Sequence, residues 1–240
     1  MRSVLVFGDI PVGEGRVATC VRCGRPPEAE YAEHGSIAAR IDDSVRRTSL
    51  AGVFFTGPEP LRHPDFEELV ARAVRAGAPR VGVRTGGSGL ANADAVARLL
   101  RAGVSVVEVG FLGSCRDTHD ALAGVPGAHD VASGAVTQVH AVAESLGVPV
   151  AVRGRMQVCR HSLTDLPAAV MRLAELRVSS IVLAHEPTFD PRRSVEWVGA
   201  ACDTGTVNRV WVSVEGVAGE MLGDKALHAQ DVIELWEETS

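Results

Sequence analysis

Short apolar segments alternate with longer amphipathic ones along the whole chain. The apolar segments are rich in Val, Ile and Phe and are too short for buried helices, so they predict strands. We place these strands near 3–7, 52–56, 80–84, 104–110, 148–153, 179–184 and 208–215. Continuous apolar strands of this kind are typical of parallel sheets that helices cover.

The segments between the strands have helical periodicity. One predicted helix repeats apolar residues at i, i+3, i+4, i+7 and i+8, namely Phe66, Leu69, Val70, Ala73 and Val74, and ends near Gly77. A second, over 130–146, places on one stripe Val131, Ala135, Val139, Val142 and Leu146. Asn92 and Thr164 are predicted caps of two further helices.

Repeated strand–helix alternation predicts a parallel sheet with right-handed crossovers. About seven strands in 240 residues favour a partly open parallel (β/α) barrel of six to seven strands over a closed barrel of eight. An open doubly wound sheet is the alternative architecture. We interpret residues 1–240 as a single α/β domain.

Charged residues alternate with valines in four of the predicted strands. If the valines contact the helices, one set of charged residues converges inside the barrel: Arg84, Glu108, Arg153, Arg155 and Glu215. Because unpaired buried charges are costly, these side chains must pair with each other, with water or with a ligand. A structural ion-pair network and a ligand-binding cavity both remain open, although a filled barrel would stack apolar residues there.

Composition narrows the class of protein. The chain has 24 basic and 30 acidic residues, a net charge of −6, which argues against a nucleic-acid-binding protein. No apolar run approaches the ~18 residues of a membrane span, and residues 3–7 predict a strand rather than a signal peptide. We therefore expect a cytoplasmic protein without a membrane partner, in which ligation or catalysis is a better use for paired cysteines than a disulfide.

Four motifs follow predicted strands in a fixed order. Cys20-Val21-Arg22-Cys23 follows the first strand, and Thr56-Gly57-Pro58-Glu59-Pro60 ends the second. The stretch 113–127 contains His119-Asp120 and follows the fourth strand, and 158–166 follows the fifth. Together these motifs resemble the radical S-adenosylmethionine (radical SAM) superfamily, whose first loop carries CxxxCxxC and whose second strand ends in GGEP. The resemblance covers residues 1–187, and 188–240 would add a closing strand and a C-terminal amphipathic helix near 231–238.

The resemblance implies a chemistry and a set of site residues. In that family, three thiolates hold a 4Fe–4S cluster whose open iron binds S-adenosylmethionine (SAM), and electron transfer then yields a radical. Cys20 and Cys23 match the second and third cluster ligands. The match to the GGEP turn, which approaches the SAM ammonium group, covers Gly57, Pro58, Glu59 and Pro60, with Pro58 in place of the second glycine. Glu108, Arg153 and Arg155 would then contact the cofactor or a small organic or peptide substrate.

One position departs from the family pattern. The first cluster cysteine should lie four residues before Cys20, where this chain has Arg16, and a guanidinium has no lone pair for iron. A third ligand could come from Cys115 or Cys159, which follow strand ends, or from residues flanking the first loop: Asp9, Glu14 and His34. Alternatively the chain is a catalytically silent relative that binds a ligand, a partner enzyme or a second copy without a cluster. In a third interpretation, Arg16 binds an anion.

Several other residues have a structural and a functional interpretation. Cys115 and Cys159 can be buried without function, as we expect of Cys202. His119 can be part of a cap and turn, and His185 can contact substrate at the end of the sixth strand. The turn 84–89 resembles an anion-binding turn, which would suit a barrel lyase or a phosphate-binding enzyme without iron.

Overall fold

The computed structural model describes residues 7–15, 28–47 and 50–230. Its main element is a parallel sheet in the order β1-β4-β5-β6-β7-β8-β9-β10, which curls into a partial (β/α) barrel. The strands of this sheet are β1 Phe7–Pro11, β4 Gly52–Thr56, β5 Val81–Thr85, β6 Val106–Phe111, β7 Ala151–Val158, β8 Ser180–His185, β9 Trp211–Glu215 and the short β10 Ala229–Gln230. The predicted fold class is therefore confirmed.

Helices connect consecutive strands and cover the outer face of the sheet. They are α1 His34–Arg46, α2 Phe66–Arg75, α3 Ala93–Ala102, α4 Arg116–Ala123, α5 Ala128–Leu146, α6 Leu166–Glu175 and α7 Val195–Val207. The apolar core lies between helices and sheet, where Phe55, Val107, Val109 and Ile181 are fully buried. None of the described helices has both the length and the apolar character needed to traverse a bilayer.

Six of the seven strand predictions were accurate in place and less so in extent. Of the predicted first strand, 3–7, only Phe7 lies among the described residues, and β1 continues to Pro11. The strand predicted at 148–153 begins at Ala151 and continues to Val158. The apolar run stops at Val152, but the period-two burial pattern continues through Arg153 and Arg155, so the strand does not end there.

Two helix details differ from the prediction. Val131 is 42% exposed, because the buried stripe of α5 runs through Ala132, Ala135, Val136 and Val139. Thr164 lies inside a 3₁₀ turn, and Asp165 rather than Thr164 occupies the N-cap position of α6. The Asn92 cap is confirmed, since its side chain accepts a hydrogen bond from the Asp94 amide at 2.8 Å.

A two-stranded antiparallel hairpin precedes the first helix. Its strands, β2 Gly13–Gly15 and β3 Ala29–Tyr31, flank residues 16–27 in the sequence. The Val12 amide donates to the Thr56 carbonyl, and the Ala32 amide donates to the Val12 carbonyl. The hairpin is thereby joined to the carboxyl end of β4.

Candidate functional site at the carboxyl ends of the strands

The turn after β4 packs against the base of the hairpin. Gly57 has a φ of +119°, and a Cβ placed on it would lie 3.1 Å from the Gly13 carbonyl oxygen and 3.4 Å from the Val12 amide. The Tyr31 hydroxyl donates to the Glu59 carbonyl oxygen at 3.2 Å. The turn needs a glycine both for its backbone angle and for this close approach.

Glu59 connects the turn after β4 to the turn after β5. Its side chain is buried, and Oε2 accepts a hydrogen bond from the Gly86 amide at 2.9 Å. Burial raises the pKa of Glu59, although hydrogen bonds to the carboxylate oppose the rise. Its other oxygen, Oε1, is buried and has no hydrogen-bond partner among the described residues. Glu59 therefore braces the mouth of the barrel. The Thr85 hydroxyl and the Leu61 amide also lie near its carboxylate and lower its pKa, but neither makes a well-formed hydrogen bond with Oε1.

The same hydrogen bonds bear on the anion-binding turn predicted at 84–89. The Gly86 amide is taken by Glu59, and the Gly87 amide donates to Thr85 Oγ1 at 2.9 Å. An external anion would therefore have to displace acceptors of the chain itself at these two amides.

The inward charges meet as the alternation predicted. Arg84, Glu108 and Arg153 are neighbours in register on adjacent strands and face the hollow side of the sheet. Arg84 Nε donates to Glu108 Oε1 at 2.7 Å, and Arg153 Nε lies 3.5 Å from Glu108 Oε2. Arg155 Nη1 lies 3.6 Å from Glu108 Oε1, while its Nη2 lies 2.6 Å from Glu215 Oε2.

Glu108 is ionised at the centre of this cluster. Burial alone would raise its pKa, but the guanidinium groups of Arg84, Arg155 and Arg153 outweigh burial and lower the pKa. At the edge of the cluster, Asp9 Oδ2 lies 3.9 Å from Arg84 Nη1, and burial raises the pKa of Asp9. We refer to Asp9, Arg84, Glu108, Arg153, Arg155 and Glu215 below as the inner charge cluster.

An aromatic ring forms the floor beneath this cluster. The guanidinium carbons of Arg84 and Arg153 both lie 5.8 Å from the centroid of the Phe54 ring. Phe7 packs edge-on against the same ring, with 5.2 Å between centroids. A cation over an aromatic face is attracted by the ring quadrupole, so Phe54 helps to hold both guanidinium groups in place.

The predicted metal ligands are only partly observable. Cys20, Cys23 and Arg16 lie outside the described residues. Cys115 is exposed at the N-cap of α4, so burial was the wrong expectation for it, whereas Cys159 follows β7 and is buried. Cys202 is fully buried, as expected. In the described part of the chain, no three His, Cys, Asp or Glu side chains form a group that could hold a metal ion.

The side candidates for a third ligand have other neighbours. His34 Nδ1 lies 3.4 Å from Asp65 Oδ2, and Asp9 faces Arg84. Glu14 lies in β2. None of these three therefore stands in a described metal site.

A histidine pair near the mouth was not predicted. His119 and His129 pack edge-on at 5.6 Å between ring centroids, and both contact the Phe111 ring. Burial, together with neighbouring His129, lowers the pKa of His119 to about 4. The sequence gives no periodic signal that joins the three residues, because Phe111 ends β6, His119 lies within α4 and His129 lies in the first turn of α5.

His185 occupies the end of β8, as expected, but one face of its ring is covered by another side chain of the protein. It stacks on Phe189 with 5.5 Å between centroids, and its Nε2 is buried without a partner among the described residues.

The residues present fit SAM better than they fit a cluster. Gly57 gives the close-packed turn, and the unpartnered Glu59 Oε1 is an acceptor suited to an ammonium group. The first loop offers two thiolates, Cys20 and Cys23, where a cluster of this type uses three. A third ligand would have to come from outside that loop.

Solved structures resemble this fold, whereas no protein-family model and no curated protein sequence matches the chain. Streptococcus suis SuiB bound to S-adenosylmethionine has a TM-score of 0.69 and 15% identity over 88% of this chain, which spans about half (51%) of SuiB. A second SuiB structure holds the precursor peptide SuiA.

Two further structures widen the comparison. One is the radical S-adenosylmethionine methyltransferase TsrM of Kitasatospora setae with cobalamin and a [4Fe-4S] cluster bound. Its TM-score is 0.53 and its identity 14%, over 75% of this chain and 36% of TsrM. The other is a candidate phosphonomutase of Burkholderia cenocepacia, with a TM-score of 0.54 and 16% identity over 80% of each chain. At these identities the likeness concerns the fold: this chain has the partial (β/α) barrel that radical SAM enzymes also have.

Proposed function

We propose that the chain is a radical SAM-type protein that binds S-adenosylmethionine across the carboxyl ends of its barrel strands. The observation that carries the proposal is the shared mouth: the Gly57–Pro60 turn, the free acceptor of Glu59 and the inner charge cluster occupy one end of the sheet. Ligands of parallel α/β sheets bind at this end. SuiB, which has the same fold, binds the same cofactor.

The roles of the chain's own residues follow from their positions. Gly57, Pro58, Glu59 and Pro60 would surround the methionyl end of the cofactor, with Glu59 Oε1 accepting from its ammonium group. Glu108 would keep Arg153 and Arg155 oriented toward the hollow, where they contact cofactor or substrate. These groups would bind and orient the ligand.

The cluster assignment concerns the first loop. Cys20 and Cys23 would be two ligands of a 4Fe–4S cluster, and Cys115 or Cys159 would be the third. When bound, this cofactor pair supplies an organic radical that removes a hydrogen atom from the substrate. In this scheme residues 1–187 are the radical SAM core and 188–240 supply the closing strand, while the helix predicted near 231–238 lies outside the described residues.

The substrate is a small organic molecule or a peptide. The inner charge cluster offers both guanidinium and carboxylate groups, which suit polar substrates. The SuiB structure with its precursor peptide gives the peptide alternative a precedent on this fold.

Arg16 favours a second candidate function. If no third ligand is recruited, the chain is a catalytically silent relative that binds a ligand, a partner enzyme or a second copy of itself without a cluster. The two candidates make opposite predictions about iron.

Anaerobic purification followed by iron and sulfide analysis separates them. If the chain is a radical SAM enzyme, we expect brown protein with absorbance near 400 nm and stoichiometric iron and sulfide. The absorbance, the iron and the sulfide should be lost in Cys20→Ala but kept in the control Cys202→Ala. Colourless protein after reconstitution, unchanged by Cys20→Ala, would overturn the cluster assignment in favour of the silent relative. Zinc analysis on the same sample tests whether the two thiols bind zinc instead.

A further inference from the structure

Arg153 is the least satisfied of the three arginines in the inner charge cluster. Arg84 donates a hydrogen bond to Glu108, and Arg155 pairs closely with Glu215. By contrast, Arg153 makes no hydrogen bond with any described residue: its Nε is buried and unpartnered, and its nearest carboxylate oxygen is 3.5 Å away. A guanidinium has five N–H donors, so this side chain holds a large unused donor capacity.

Glu108 cannot satisfy three guanidinium groups alone. Arg84 takes the short contact to its Oε1, and Arg155 and Arg153 remain at 3.6 and 3.5 Å. Arg155 Nη1 is likewise buried without a partner in the described part of the chain. Unpaired buried donors are costly, and the cost is removed when a ligand supplies the missing acceptors.

The pair is held ready for such a ligand. Arg153 and Arg155 lie two residues apart on β7, so both side chains face the hollow, and their side chains keep 16% and 19% of their surface exposed. Phe54 fixes the Arg153 guanidinium from one side. Opposite Arg155 in register, Gly110 has no side chain to fill the space.

We infer that Arg153 and Arg155 form a carboxylate subsite that anchors an acidic group of the substrate inside the barrel. This inference rests on the proposed function and deepens it by naming the substrate class. A planar carboxylate accepts two parallel hydrogen bonds from a guanidinium, which matches the donors left unused. The carboxylate can belong to a free acid or to an acidic side chain of a peptide.

A carboxylate fits this place better than a phosphate. Glu108 and Glu215 balance two of the three guanidinium groups, so a singly charged carboxylate would balance the third, whereas a doubly charged phosphate would leave an excess of negative charge. The register also fixes the level of the subsite relative to the mouth. Val152, next to Arg153, is in register with Val107 and, across β5, with Phe55, which lies two residues before Gly57. An anchored substrate would thus lie beside the cofactor, at the level where β4 ends.

Titration with matched acid and amide probes tests the subsite. One pair of probes is N-acetylglycine and N-acetylglycinamide, and the other is N-acetyl-Ala-Glu-Ala-amide and its Gln counterpart. Binding is measured by calorimetry and by NMR of the arginine Nε–H resonances. We expect one acid probe to bind at least fivefold tighter than its amide and to shift the Arg153 resonance, which is identified by its loss in Arg153→Lys. Whichever acid binds tells whether the carboxylate comes from a free acid or from a peptide.

Variants keep the result interpretable. Arg153→Gln should weaken the acid probe about tenfold, and Arg153→Lys, which keeps the charge but loses the planar fork, at least threefold. Arg98→Gln, on the exposed face of α3, is the control and should bind as the unaltered protein does. Circular dichroism on each variant identifies any that fail to fold.

The outcomes separate this inference from the proposed function. Equal binding of acid and amide, tighter binding of inorganic phosphate, or full acid binding by folded Arg153→Gln would overturn the subsite. Titrating SAM into the same samples tests the cofactor separately. Acid binding without SAM binding overturns the proposed function alone, and SAM binding without acid binding overturns the subsite alone. Mutual competition would assign Arg153 to the cofactor's own carboxylate and overturn the assignment to substrate.

Discussion

At the scale of the residue, Glu108 is the side chain on which the inner charge cluster depends most. One carboxylate, 1% exposed, stands among three guanidinium groups, so its removal would leave three positive charges converging without their shared counterion. Breaking a buried ion pair from one side is far more damaging than replacing the whole pair, because the remaining charge is left uncompensated. Glu108 is therefore both a structural residue and the group that orients Arg153 and Arg155.

We predict that Glu108→Gln lowers the free energy of unfolding by about 3–5 kcal/mol in urea titrations. Glu67→Gln is the matched control, because Glu67 pairs with Arg98 on the surface, where both side chains are more than half exposed. That substitution should cost less than about 1 kcal/mol. Similar losses for the two variants would show that the interior pairs are as well solvated as the surface pair.

At the scale of the element, two turns and one helix pair support the mouth. The Gly57 turn packs on the hairpin backbone, Glu59 joins the turns after β4 and β5, and α4 and α5 meet through two buried histidines. The two turns lie at the carboxyl ends of β4 and β5, where α/β folds place their ligand contacts, whereas the histidine pair joins two helices.

Gly57→Ala tests the packing of the first joint. Both Gly57 and Gly77 have a positive φ, but a Cβ on Gly77 meets nothing within 4 Å, so Gly77→Ala measures the backbone strain alone. We expect each alanine to destabilise the protein by about 1–2 kcal/mol through strain and Gly57→Ala to cost about 1 kcal/mol more. Thermal unfolding of the two variants measures the difference, and equal losses would mean that the hairpin yields freely.

His119 should make stability depend on acid pH. Burial, with a contribution from His129, lowers its pKa from 6.5 to about 4, so the folded state keeps it neutral while the unfolded state protonates it first. The stabilisation is therefore present above pH 6.5 and is lost as the pH falls toward 4, by up to about 3 kcal/mol.

His119→Asn is the test of that pH dependence. Asn keeps an acceptor near the position of Nδ1, which accepts from the Leu112 amide at 3.3 Å, but it does not titrate. Unfolding curves between pH 7 and pH 4 should be flatter for this variant than for the unaltered chain. Parallel curves would assign the acid sensitivity to other groups.

Periodicity predicted the sheet and its inner charges well, because one physical rule governs both. Alternation within one strand places Glu108 on the other face of the sheet from Val107 and Val109, independently of the neighbouring strands. The residues that face the hollow could therefore be inferred one strand at a time. The pairing partners could not be inferred in this way. Arg84 could join Glu108 or Glu215, and strand register decided it.

Other features depended on contacts that leave no periodic trace. The hairpin strands Gly13–Gly15 and Ala29–Tyr31 are short and polar, so no apolar alternation marks them. The Glu59–Gly86 hydrogen bond joins two turns 27 residues apart and fills a turn that local sequence predicted for an external anion. His119 and His129 meet because α4 and α5 pack together, a tertiary event.

At the scale of the whole molecule, the candidate site lies at one end of a curled sheet. The hairpin that flanks residues 16–27 contacts Gly57 and Glu59, and the inner charge cluster lies behind them in the hollow. The chain thus brings the hairpin, the Glu59 carboxylate and the Arg153–Arg155 pair to a common opening. An ammonium group at Glu59 and a separate acidic ligand at the guanidinium pair both suit this arrangement.

Calorimetric titration of SAM into anaerobically purified protein is the sharpest test of cofactor binding at this opening. We predict saturable binding at one site per chain, weakened about tenfold in Glu59→Gln, which keeps the Gly86 hydrogen bond but loses the charge, and unchanged in Glu67→Gln. The absence of saturable SAM binding to folded protein, or equal affinity in Glu59→Gln, would contradict it.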